Sequence, residues 1–212
     1  MYIMGEIRGD VDLLMNEIEN MEVPHGSNII LNGDSHLNYY LDERDDVYKE
    51  GLTALPYTFL IVYGNEEAHP STVTTYRKLS GQGEGAGDIY VEDAYPNLLF
   101  LDNGIHMIED ERVLIVGGAA PWINLVLGYK APNFWNDSTA LAPSERAAFA
   151  DRIRGKDVDI VVSHTCPFLS IPLTSEEKAA AIGEGIDTAM EVFLERLRQS
   201  YITYKVWFAS HW

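Results

Sequence analysis

Apolar positions along the chain recur with two periods. Val11, Leu14, Met15, Ile18 and Met21 return at helical spacing, which predicts an amphipathic helix over residues 10–21, ended by Pro24, Gly26 and Ser27. Met1 and Met4 bound a short apolar start, and Gly5 to Gly9 read as a loop. Residues 28–31 form a short apolar strand running into Asn32-Gly33-Asp34, and a mixed polar helix is expected over 37–53. Residues 58–63 read as a buried strand that turns at Gly64-Asn65. Three apolar runs follow, at 97–101, 105–108 and 112–116. Asp102-Asn103-Gly104 and Glu109-Asp110-Glu111 separate them, the pattern of a β-meander. Pro143 and Ser144 precede a helix of about ten residues, and residues 158–162 form a strand ending at Ser163-His164. Thr174 and Glu177 have capping-box spacing. Ile186, Met190, Phe193, Leu194 and Leu197 make a helical stripe, and residues 201–209 read as a last strand before Ser210-His211-Trp212. Residues 122–136 are aromatic and irregular and take no assignment. Residues 80–87 carry glycine at every second position, which predicts a surface loop. A phosphate-cradling loop would need a preceding strand and a following helix with Lys-Ser/Thr, and both are missing.

Strands and helices alternate at both ends of the chain with a run of strands between, so an α/β sheet with helices outside it is expected. The length, 212 residues, suggests a single domain over 1–212, and 46% apolar with 23% charged residues suits a folded globule. No run of 18 apolar residues occurs, so no membrane span or membrane partner is expected. The first residues lack the basic start and long apolar core of a signal peptide. A single cysteine, Cys166, forms no internal disulfide and fits a cytoplasmic location. Fifteen basic against 33 acidic residues give a formal charge of −18, which repels phosphate backbones and argues against nucleic acid as a stable partner. The excess carboxylates read as a solvated surface or, in part, as a cation site.

In sheets of this kind ligands bind beyond the carboxyl ends of the strands. Glu6 and Arg8 follow the first strand, Asp34 the second, Asn65 and Glu66 the third, and His164 and His211 close two later ones. One such residue is usually a turn former or a structural histidine. Carboxylate, amide oxygen and imidazole converging on one edge suit a divalent ion such as Mn, Fe, Zn or Ni.

The order Gly5-Glu6-Ile7-Arg8-Gly9, Asn32-Gly33-Asp34, Gly64-Asn65-Glu66-Glu67, Ser163-His164 and Ser210-His211 resembles the calcineurin-like metallophosphoesterase family. That family's motifs are Asp-x-His, Gly-Asp, Gly-Asn-His-Asp/Glu, a lone His after a strand, and Gly-His-x-His. Residues 99–104 and 112–119 also look like the middle of bacterial and phage members. The resemblance implies a four-layer α/β/β/α sandwich with two mixed sheets. It also implies hydrolysis of a small phosphate mono- or diester by a metal-activated water. Carried over by motif, one ion takes Asp34, Asn65, His164 and His211. The other would take Glu6, the position of Arg8, shared Asp34 and a final His that would lie past Trp212. Arginine offers no lone pair to a cation, so one ion is expected rather than two, and relative to the family the chain looks short at its C-terminus.

Arg8 has three readings: a salt bridge to Glu6 or Asp34, a fixed positive charge that binds phosphate bidentately, or an outward-facing side chain. Glu66 stands where the family's histidine handles phosphate and leaving group. It is a structural or metal-associated residue, or a general acid if its pKa is raised, with His69 as a candidate substitute. Arg8 and Glu66 are thus the catalytic candidates. Cys166 reads as a small buried residue rather than a nucleophile. Substrate choice is expected from residues 122–135 and the glycine-rich loop. The function expected is a metal-dependent phosphoesterase. The alternative is a catalytically impaired relative of the same fold that binds a metal, a ligand or a partner. Oligomeric state is not legible from these motifs.

Overall fold

A computed structural model describes residues 1–120, 139–183 and 185–211. Along the chain lie β1 Tyr2–Met4, α1 Val11–Asn20, β2 Asn28–Asn32, α2 Glu43–Thr53 and β3 Thr58–Val62. Then come β4 Arg77–Leu79, β5 Ile89–Val91, β6 Leu98–Leu101, β7 Gly104–Ile108 and β8 Glu111–Val116. The last are α3 Pro143–Ile153, β9 Lys156–Asp157, β10 Ile160–Thr165, α4 Ser175–Gly183, α5 Ala189–Arg196, β11 Ile202–Thr203 and β12 Val206–His211. The protein is mixed α/β. A six-stranded sheet has the order β1-β2-β3-β6-β5-β4, parallel through β6 and antiparallel beyond it. A four-stranded sheet has the order β12-β10-β8-β7, with β7 antiparallel.

Period-two side-chain alternation sorts neighbouring residues to opposite faces. Ile29, Leu31, Phe59, Ile61 and Phe100 pack under Leu14 and Ile18 of α1 and Leu52 of α2. Their neighbours Ile30, Leu60, Val62 and Leu101 meet Ile108, Val113, Ile115 and Val162 of the smaller sheet. The smaller sheet's other face, with Leu114, Val116 and Val161, is covered by Phe149 and Ile153 of α3 and Met190, Phe193 and Leu194 of α5. Each such side chain contributes about 1.5–3 kcal/mol on burial. Helices thus cover the outer faces, and the two sheets face each other.

The expected meander is corrected. Leu98–Leu101 pairs with β3, Phe59 opposite Leu98, and of the three runs only the last two, β7 and β8, pair with each other. The chain changes sheet at Asn103. There the side chain donates to Tyr63 Oη and accepts from Gly117 N, which holds the crossover closed. The second helix is shorter than expected, because Asp42 caps it by accepting from Arg44 N and Asp45 captures the backbone N–H groups of Tyr40 and Leu41. The final strand is two strands: Ile202–Thr203 pairs with β9, and Val206–His211 with β10. The β10 strand runs past residue 162 through Thr165, so His164 lies within it. β4 and β5 were not expected; each has only three residues. The capping box at Thr174 and Glu177 is present in both directions. Residues 122–136 lie outside the described residues. Among the described residues, no helix is long and apolar enough to cross a membrane.

The two sheets are tied at their carboxyl ends. Asn32 Nδ2 donates to Ser163 O at 2.9 Å, and Ser210 Oγ donates to Asn32 O. These bonds bring the loops after β1, β2 and β3 against the ends of β10 and β12.

Candidate metal centre

Asp34 is the centre of this junction and is fully buried. Its Oδ1 accepts from the backbone N–H groups of Asn65 and Glu66, both at 2.9 Å. Its Oδ2 is buried without a hydrogen-bond partner. The glycines before Asp34 and Asn65 are dictated by contact: a Cβ on Gly33 would stand 1.8 Å from His164 Nδ1, and one on Gly64 would stand 1.9 Å from Asp34 Oδ1. His164, also fully buried, places Nε2 2.9 Å from Asn65 Oδ1 and 3.7 Å from Asp34 Oδ2. The His211 ring stacks on it with centroids 4.8 Å apart. His211 Nδ1 lies 2.9 Å from Glu6 Oε1, and its Nε2 is buried without a partner. One ligand atom from each of Glu6, Asp34, His164 and His211 lies within 4.8 Å of the others, so this buried cluster can hold a metal ion. The residues expected from sequence as ligands, Asn65 included, are brought together. The donor set suits a divalent ion: carboxylate, amide oxygen and imidazole lie together, and Asp34 Oδ2 and His211 Nε2 are buried without hydrogen-bond partners.

Around the cluster sit the two catalytic candidates. Arg8 pairs with Glu6, its Nη2 and Nε lying 2.8 and 3.2 Å from Oε2, so the salt-bridge reading holds. Its Nε is 4.0 Å from Glu66 Oε2, and half of its side chain is exposed. Glu66 Oε2 also meets His36 Nε2 at 3.0 Å. That bond, with Arg8 nearby, outweighs burial and keeps the Glu66 carboxyl below its ordinary range. A general-acid role needs the opposite shift, so this geometry favours the structural or metal-associated reading of Glu66. His36 was missed, although it stands only two residues after Asp34. Its left-handed backbone, φ +62°, is what sets it against Glu66. Glu67 is a second omission: buried, it accepts from Ser35 Oγ at 2.6 Å and from Gly64 N at 3.2 Å, and so clamps the Asp34 loop to the Asn65 loop. His69 does not substitute at Glu66. Its partners are Ser71 Oγ at 2.7 Å and Asp102 at 3.7 Å, in a cavity of about 570 Å³ lined also by Tyr63, Tyr90 and Arg152. Burial pushes the Cys166 thiol up to about 11, so it is no thiolate nucleophile.

The electrostatics are those of a pocket rich in anions. Burial, with Glu67, Glu66 and Glu6 nearby, pushes the Asp34 carboxyl up to about 7 against its backbone bonds. Burial and the His211 charge hold His164 down at about 3, so it is neutral and able to ligate. Burial opposes charge on Glu6, but the bond to His211 and the charges of His211 and Arg8 keep it below its usual range. The same bond raises His211 against burial. No protein-family model matches the chain, and no curated protein matches it.

Proposed function

We propose that the protein is a metal-dependent phosphoesterase acting on a small phosphate mono- or diester with one divalent ion, Mn, Fe, Zn or Ni. The observation that carries this reading is the buried cluster, in which Asp34 Oδ2 and His211 Nε2 lack hydrogen-bond partners. Its four residues come from four of the five strand-end motifs that resemble the metallophosphoesterase family, and Asn65 of the fifth lies against His164. The stacking of helices, sheet, sheet and helices supports the four-layer sandwich which that resemblance implies. Asp34, Asn65, His164 and His211 would hold the ion. When bound, it supplies a Lewis acid and lowers the pKa of water at the site. Arg8 reaches the solvent side, where the N–H groups it does not give to Glu6 can meet phosphate oxygens. Glu66 stays ionised and anchors His36 beside Arg8. Glu67 keeps the two ligand-bearing loops in register.

A second reading has its own support. Arg8 and Glu66 stand where the family has a metal ligand and a phosphate-handling histidine, as expected of a scaffold that binds metal without turnover. Metal analysis of the purified protein, with aryl phosphate and phosphodiester assays in added Mn, separates the two. Turnover that disappears in Asp34→Asn supports the enzyme. Bound metal without turnover establishes the impaired relative, and absence of both would overturn the metal site.

A further inference from the structure

The two carboxylates of the cluster are used in different ways. Asp34 keeps Oδ2 free of any hydrogen bond. Both oxygens of Glu6 are already engaged by the protein: Oε1 meets His211 Nδ1 at 2.9 Å, and Oε2 takes both Nε and Nη2 of Arg8. A carboxylate can accept from Nδ1 only when that nitrogen carries the hydrogen. In a neutral imidazole the lone pair then sits on Nε2, the atom left buried and unpartnered. Carboxylates that accept from the far nitrogen of a ligating histidine fix its tautomer and aim its ring without touching the ion. Arg8 completes the arrangement. Its guanidinium lies between Glu6 and Glu66 and brings a fixed positive charge to the Glu6 side of the cluster, which repels a further cation there.

We infer that Glu6 is a positioning residue and not a ligand: it aims His211 Nε2 at a single ion held with Asp34, Asn65 and His164, while Arg8 retains Glu6 and excludes a second ion. This rests on the metal-binding part of the reading above. It departs from the motif carry-over, which makes Glu6 a ligand.

The test uses Zn and Co alone on the full chain. Equilibrium dialysis should give one Zn per chain. Glu6→Ala should still bind one Zn, about 10- to 100-fold more weakly, as for loss of an outer-shell partner. Asp34→Ala should bind none. The visible spectrum of the Co-loaded protein reports the inner ligands, so it should be the same in Glu6→Ala as in the parent. Should Glu6→Ala fail to fold, Glu6→Gln decides by the same spectrum. Two ions per chain, no ion, a changed cobalt spectrum, or loss of Zn in Glu6→Ala as complete as in Asp34→Ala would each overturn the inference. Aryl phosphate turnover is measured in parallel. One ion with an unchanged spectrum and no turnover sinks the phosphoesterase reading and leaves this inference standing.

Discussion

Two buried carboxylates, Glu92 and Asp34, sit in opposite circumstances. Glu92 meets Lys49 Nζ at 2.6 Å, with side chains only 8% and 5% exposed, and the ammonium also lies 5.1 Å from the Tyr76 ring centroid. There the protein supplies its own cation. Asp34 Oδ2 has no hydrogen-bond partner and only a neutral imidazole at 3.7 Å, with three further carboxylates nearby; the charges of Arg8 and His211 act on it from a distance, without a direct pair. Buried charge without a counter-charge is expensive and normally neutralises. A fold that keeps one pair closed and leaves the other open has a place for a cation from outside, which is what the proposed metal site requires. Burial by itself therefore does not mark a site; burial of anions without their positive partner does.

The largest effect is expected at the closed pair. Lys49→Met strands Glu92 and should cost about 3–5 kcal/mol, read as a lower denaturation midpoint at pH 7. A loss below about 1 kcal/mol would mean that Glu92 is already neutral or hydrated, and the contrast with Asp34 would fail. Asp34→Asn should act in the opposite direction on the metal-free protein. With a folded pKa of about 7 against about 4 unfolded, the folded chain holds a proton that the unfolded chain has released between those values. Stability of the metal-free protein therefore falls as pH rises from about 4 to about 7, by roughly 3–4 kcal/mol from this group, and is flat above. The Asp34→Asn substitution removes that slope. After the cost of one poorly paired amide, it should stabilise the metal-free protein at pH 8 by about 1–3 kcal/mol while abolishing metal uptake. Thermal unfolding across pH with a chelator, then with Zn, checks both halves. A destabilised Asp34→Asn variant would show that Asp34 is ionised and satisfied without metal.

The residues of the candidate metal cluster were legible in the sequence because their constraints are local. Gly33 and Gly64 precede Asp34 and Asn65 where no Cβ fits, and the cluster residues lie at or just past the carboxyl ends of apolar strands. What was not legible depends on distant partners. Apolar runs do not state which strand they will pair with, so Leu98–Leu101 looked like part of a meander until β3 claimed it. Glu6 looked like a ligand because its neighbours in space are hidden by sequence distance: the histidine it orients is 205 positions away. Glu67 looked like half of an acidic doublet, yet its work is to join Ser35 to Gly64. Glu67→Gln keeps one acceptor and replaces the other with a donor. It should cost about 1–3 kcal/mol and weaken Zn binding, measured by chemical denaturation and by competition titration. Unchanged Zn affinity would separate the clamp from the metal centre.

The smallest effect is expected at Arg8, and its sign is informative. The pair with Glu6 is half exposed on the arginine side, where ion pairs contribute about 0–1 kcal/mol. Arg8 also holds φ at +45°, a left-handed conformation that costs a non-glycine residue about 1 kcal/mol or more. Its backbone N–H donates to Asp34 O at 3.0 Å, and any residue can supply that bond. Arg8→Gly therefore removes a weak pair and a strain of similar size, though glycine adds entropy to the unfolded chain. The net change in stability should stay within about 1 kcal/mol by chemical denaturation, while phosphate ester turnover falls. A protein retains a strained, half-exposed arginine at no gain in stability only if the side chain serves the site. If Arg8→Gly instead costs several kcal/mol, Arg8 holds the loop together, and Glu6 would owe its place to folding rather than to the metal.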